Sequence, residues 1–165
     1  KKKNALRFTF SESKWKVLKK ATCPVILVRP GAEEQRKTIL AAVNFQAIGT
    51  QQKLLNANIL AHGKWLAENY GADLHVVNAY IDSMHYPDRG NLAKEAGISS
   101  KNIHVVKGYT DETVAETAKK LKADLVVIGT LGQTGLIKTR RGNTAERVIS
   151  ALDVDIVVVN TEYET

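Results

Sequence analysis

Residues 125–144, LVVIGTLGQTGLIKTRRGNT, decide how the chain is read. Leu125–Ile128 offer no polar face, so the run reads as a buried strand. The chain then turns at Gly129 and Gly132, whose missing Cβ atoms permit a sharp bend and let backbone N–H groups approach an anion. After nine intervening residues comes Gly142, and Asn143 and Thr144 open the next helix. A helix N-terminus presents free N–H donors and a partial positive charge, which suits phosphate. Lys138, Arg140 and Arg141 add cations. On spacing alone two readings stay open: a phosphate cradle, or an ordinary glycine-rich turn with solvated charges.

Outward from that stretch, β-rich runs alternate with helical ones, the pattern of a parallel sheet wrapped by helices. Strands are predicted at 38–44 (TILAAVN), 72–81 (ADLHVVNAYI), 102–108 (NIHVVKG), 125–129 and 155–160 (DIVVVN). Leu55, Ile59, Leu66 and Tyr70 recur at helical spacing over 51–70, and Gly71 stands where a left-handed cap would end that helix. Thr110 is placed to cap DETVAETAKKLK, whose last turn is basic as the helix dipole prefers. NTAERVISAL (143–152) is the final helix. The connection from Ile81 to Asn102 looks too poor in helix for a parallel crossover, with only GNLAKEAG resembling one. IDSMHYPDRG therefore reads as a mobile loop, or as a place where natural residues are missing.

The 165 residues suit one complete domain with extras. No apolar run is long enough to span a bilayer, and KKKNALRFTF lacks the features of a secretory signal, so a cytoplasmic protein with no membrane partner is expected. Cys23 is the only cysteine, which leaves no internal disulfide and no cysteine-based metal cluster; a buried structural thiol is expected. The net charge of +7 is uneven. Residues 1–37 carry 11 Lys/Arg against 3 Asp/Glu, and residues 38–165 carry 13 against 14. The folded body is nearly neutral, which argues against nucleic-acid recognition.

Sliding the sequence by 131 residues lays WKVLKKATCPVILVRP (15–30) over ERVISALDVDIVVVNT (146–161) without a gap. A helix and a strand recur. Residues 1–30 then read as the last helix and strand of a preceding repeat, 31–37 as a linker, 38–160 as the domain and 161–165 as a tail. A strand such as Val25–Val28 needs partners for its side chains and backbone, and the edge at 155–160 is the obvious place, within one chain or between two.

The loop matches neither GxxxxGK[ST] nor GxGxxG. Gly129-x2-Gly132-x9-Gly142-Asn143, followed by Thr144-Ala145 and DIVVVN, resembles the nucleotide-binding signature of the universal stress protein family over about 38–160. FTFSESKWKVLKKATCPVILV resembles the end of another such domain, as in tandem members. That resemblance implies an α/β doubly wound five-stranded parallel sheet of order 3-2-1-4-5, with dimerisation through fifth strands, here a homodimer or pseudo-dimer through 23–28 and 155–160. It also implies an adenine nucleotide, ATP with Mg, and a role in stress response. Carried over by position, Gly129, Gly132, Gly142, Asn143 and Thr144 would contact phosphate and ribose, and Ala42, Asn44 and Val76 the adenine. The chain departs from binding members at Asn44, where they usually have an acid, and at Asn143, where they have Ser or Thr. An Asn amide still donates and accepts.

The alternative is a nucleotide-free stress module that pairs strand edges and recruits partners. An enzyme is not expected. His62, His75, His85 and His104 include no i, i+4 metal-helix pair, and His75 and His104 read as packed or hydrogen-bonded strand residues. No GxSxG elbow occurs. Ser99 and Ser100 fall in a polar turn, Asp111, Glu112 and Glu116 decorate a helix start, and Trp65 and Tyr70 read as packing residues. No catalytic residue and no metal ligand is named, and a phosphotransfer reading of the same cradle lacks a visible base or metal carboxylate.

Overall fold

A computed structural model describes residues 11–31, 34–131 and 144–161. The elements follow in chain order as α1 (Glu12–Lys20), β1 (Val25–Leu27), β2 (Thr38–Val43), α2 (Thr50–Tyr70), β3 (Asp73–Tyr80), α3 (Arg89–Ala96), β4 (Ile103–Lys107), α4 (Thr110–Leu121), β5 (Leu125–Gly129), α5 (Thr144–Ala151) and β6 (Asp155–Val159). The strands form one sheet in the order β1-β6-β5-β2-β3-β4. Strands β2 to β6 pair in parallel, while β1 joins β6 antiparallel, so the sheet is six-stranded and mixed.

Each face of the sheet carries its own apolar layer. Ile39, Ala41, Val43, Leu74, Val76 and Val127 pack with Leu55, Ile59 and Leu66 of α2 and with α3, whereas Leu40, Val77, Val126 and Ile128 pack with α1, α4 and α5 on the other side. Alternation along each strand sends odd and even positions to opposite layers, which is why the runs are apolar throughout. A fully buried side chain of this kind contributes about 1.5–3 kcal/mol. The helix α2 ends at Gly71 with φ 62° and ψ 38°, the left-handed cap expected from the sequence.

Four expectations are corrected. Thr110 lies inside α4 and Tyr109 takes the N-cap position, where its side chain makes no capping bond, because β4 runs straight into the helix through Gly108. Cys23 is exposed, since the turn between α1 and β1 faces outward. Trp65 and Tyr70 are also exposed, Tyr70 because it is the last residue of α2, with the guanidinium of Arg36 over its ring at 5.3 Å. The crossover from Ile81 to Asn102 has defined structure: Asp82 accepts from Met84 N–H in a 3-10 turn at Ser83–His85, Asp88 caps α3, and Gly97 closes it at φ 63°.

The β1–β6 ladder has an internal symmetry. Its register opposes Val25 to Val158, Ile26 to Val157 and Leu27 to Ile156. Under the 131-residue offset Ile26 is the equivalent of Val157, and the outer pairs exchange equivalents. Two copies of one surface related by a two-fold axis pair in this way. The chain after β1 is locked to the base of β6: Asp155 is buried, accepts from the Arg29 N–H at 2.8 Å and forms an ion pair with Arg36. The Arg29 guanidinium donates to the carbonyls of Val154, at 3.1 Å, and Leu152. Burial holds the Arg29 guanidinium somewhat below its ordinary pKa, against the pull of Asp153 and Asp155.

Candidate functional site

The winding of the sheet reverses between β2 and β5. From β2 the chain crosses through α2 on one face towards β3, and from β5 it crosses through α5 on the other face towards β6. A crevice opens beyond the carboxyl ends of two neighbouring strands whose connections diverge, with a helix N-terminus on either side. Ala42 and Asn44 lie at the end of β2, Gly129 at the end of β5, and Thr144 at the first turn of α5. Asn44 and Thr144 are exposed and Ala42 is partly buried. Gly132, Gly142 and Asn143 lie outside the described residues.

Val76 is not brought to this rim. It sits mid-strand, opposite Ala41 and Ile103, and its side chain is wholly inside the α2–α3 layer. Gly129 has a packing role that spacing did not reveal. A Cβ there would meet the Leu55 side chain at 2.6–2.7 Å, so the glycine lets the first turns of α2 close against β5. The space beside Gly129 on that face is taken by Leu55.

At the β2–β3 side of the crevice the structure assembles an amide network that the sequence did not announce. Asn56 of α2 accepts from Asn44 N–H at 3.0 Å and returns a bond to the Asn44 carbonyl at 2.8 Å. Asn78, fully buried, accepts from Phe45 N–H at 2.7 Å and donates to the side-chain oxygen Oε1 of Gln46 at 2.6 Å and to the Ala79 carbonyl at 2.9 Å. The Gln46 amide donates to the Ala79 carbonyl at 2.7 Å. Buried amides must be paired, and these pin the backbone from Asn44 to Gln46 over the strand ends. The one legible sign was Asn78 itself, a polar residue within the run HVVNAY.

The histidines serve elsewhere. His75 Nδ1 lies 3.0 Å from His104 Nε2 across β3 and β4, one ring donating to the other. Burial lowers both pKa values first; His75 and the cations Arg89 and Lys120 lower His104 further, and Lys101 acts likewise on His75 against an opposing pull from Asp73. His62 contacts the Asn58 carbonyl within α2, and His85 lies exposed beside Asp82. Ser99 and Ser100 are exposed, and Asp111 faces Arg147 of α5 at 3.6 Å. Among the described residues no three His, Cys, Asp or Glu side chains gather as metal ligands, and no helix is long and apolar enough to cross a membrane.

Comparison with known proteins agrees with this frame. The family model described as the universal stress protein family matches residues 83–160. A universal stress protein E homolog from Haemophilus influenzae is 32% identical over 171 residues, which cover 90% of this chain and 55% of the relative. The chain belongs to the universal stress protein family. Among solved structures, the functionally unknown protein PA1789 of Pseudomonas aeruginosa PAO1 superimposes with a TM-score of 0.79 at 31% identity, over 92% of this chain and 57% of that one. A universal stress protein in complex with cAMP shares the fold, with a TM-score of 0.56 at 20% identity over 78% of this chain and 99% of that one. The chain spans about half the length of the curated relatives it matches.

Proposed function

We propose that this universal stress protein chain takes an adenine nucleotide in the crevice where the winding reverses, and that occupancy acts through the paired repeats in a cytoplasmic stress response. The observation that carries the reading is the divergence of β2 and β5 at the point where the glycine-rich segment leaves β5 for α5. The ligand class is the one named for the relative bound to cAMP. Ala42 and Asn44 would lie on the base side, and Gly129, Gly132, Gly142, Asn143 and Thr144 on the phosphate side with Mg. Val76 would act from within the core, shaping the strand and touching no ligand. No reacting group of the chain is given a chemical step.

The domain reading stands beside it: 1–30 closes a preceding domain, 31–37 links, 38–160 is one full domain and 161–165 a tail. It is supported by the two-fold register of β1 on β6 and by relatives about twice as long. In that reading the pseudo-dimer contact through 23–28 and 155–160 is internal to the chain.

ATP with Mg at 100 times its Kd should stabilise the fold by about 2.7 kcal/mol, read as a rise in melting temperature, and Gly132→Val should abolish the rise. A protein that carries no nucleotide out of the cell and melts identically with and without ATP would sink the proposal. The β1–β6 ladder favours a second reading, a nucleotide-free module in which the paired edge is itself the function.

A further inference from the structure

We propose that Gln46 is a built-in plug of the base pocket, its side-chain amide filling the hydrogen-bond positions that an adenine edge would take. This rests on the nucleotide reading of the crevice.

The orientations of both amides are fixed by chemistry. Phe45 N–H can only donate, so it must meet the Asn78 oxygen; the Asn78 nitrogen is thereby turned towards Gln46. The Ala79 carbonyl can only accept, so it must meet the Gln46 nitrogen, which leaves the Gln46 oxygen facing Asn78. One N–H of Asn78 Nδ2 is bonded to the Ala79 carbonyl, so the end of β3 presents its other N–H as a donor beside the remaining lone pair of that carbonyl as an acceptor. A primary amide answers them with an acceptor and a donor that flank a single carbon. Adenine carries the same pair at N1 and its amino group, again flanking one carbon. Purine without the amino group keeps the acceptor at N1 and has no donor beside it.

The exchange is close to balanced. When the base enters, its two bonds replace the two made by Gln46, whose amide passes to water. The partly buried Gln46 sits on the short connection between β2 and α2, so it can swing outward while Asn56 and Asn78 keep Asn44 and Phe45 in place. The same two bonds that close the pocket reduce apparent affinity by the fraction of time the plug is in. They also select, because only a base with a donor beside an acceptor restores both contacts, and a site that loses a buried hydrogen bond discriminates strongly.

The test uses adenosine and purine riboside as probes, titrated by calorimetry into the wild-type chain, Gln46→Ala and Gln46→Glu. Glutamate nearly conserves shape and removes the donor to Ala79, so it opens the pocket without leaving a hole. Both variants should bind adenosine about tenfold more tightly than wild type, with purine riboside bound more weakly than adenosine throughout. In the wild type, the Gln46 side-chain NH2 resonances should exchange slowly with solvent and lose that protection as adenosine is added. Equal adenosine affinity in all three proteins, or a Gln46 amide that stays protected in the bound state, overturns the plug while leaving the nucleotide site standing. Absence of adenosine binding in all three overturns both.

Discussion

Val17 and Val148 occupy equivalent places in the two helix–strand repeats, yet Val17 is 59% exposed and Val148 3%. Ile26 and Val157, opposed in the ladder, differ likewise at 51% and 2%. The sequences are alike; the surroundings are not. Helix α5 and strand β6 are covered by α4 and β5, whereas the outer side of α1 and β1 forms an apolar groove of about 320 Å³ lined by Lys14, Val17, Leu18 and Val25–Val28. Burial is thus a property of the neighbour and not of the motif.

The sharpest way to break that comparison is a proline on each side of the two-fold. Val157→Pro strikes a strand paired on both edges and should cost more than about 3 kcal/mol, abolishing the cooperative melt followed by circular dichroism. Ile26→Pro strikes the outermost strand and should release only α1–β1, seen as faster proteolysis near Ala21 with the melting of the body little changed. A smaller effect comes from trimming the equivalent valines. Val148→Ala should lose about 2 kcal/mol in urea unfolding, and Val17→Ala should stay within about 0.5 kcal/mol. Equal losses would mean that the outer face is covered after all.

The smallest effect is a pH slope that belongs to the body alone, since neither repeat contains histidine. His75 and His104 have folded-state pKa values below the ordinary 6.5, so the unfolded chain binds protons more readily. Their contribution is complete above that value and is lost as pH falls below it. Urea unfolding between pH 5 and 8 should show the decline, Ile26→Pro should keep it, and the double change His75→Gln with His104→Gln should flatten it.

The strands were legible because branched apolar runs such as LVVIG and DIVVVN tolerate no other placement, and Gly71 because a left-handed cap asks for glycine. The apolar stripe of α2 was read correctly at Leu55, Ile59 and Leu66 and failed at Tyr70, where the helix ends beyond the sheet. Pattern reading follows side-chain type along one element, so it missed what only folding brings together. The bond from Gln46 to Ala79 spans 33 residues, and Leu55 reaches Gly129 from a different element. The spacing read Gly129 as a bend open to an anion, whereas in the fold its missing Cβ makes room for Leu55. Family position likewise carried Val76 to the base site while its side chain faces the core.

The arginines that grip Asp155 come from the end of the first repeat, Arg29, and from the linker that follows it, Arg36. Swinging one repeat away from the other would strip a buried carboxylate of its counter-charges, and an uncompensated buried charge costs about 3–5 kcal/mol. The joint therefore behaves as a weld: a displacement of the turn between α5 and β6 is carried directly to the chain that follows β1.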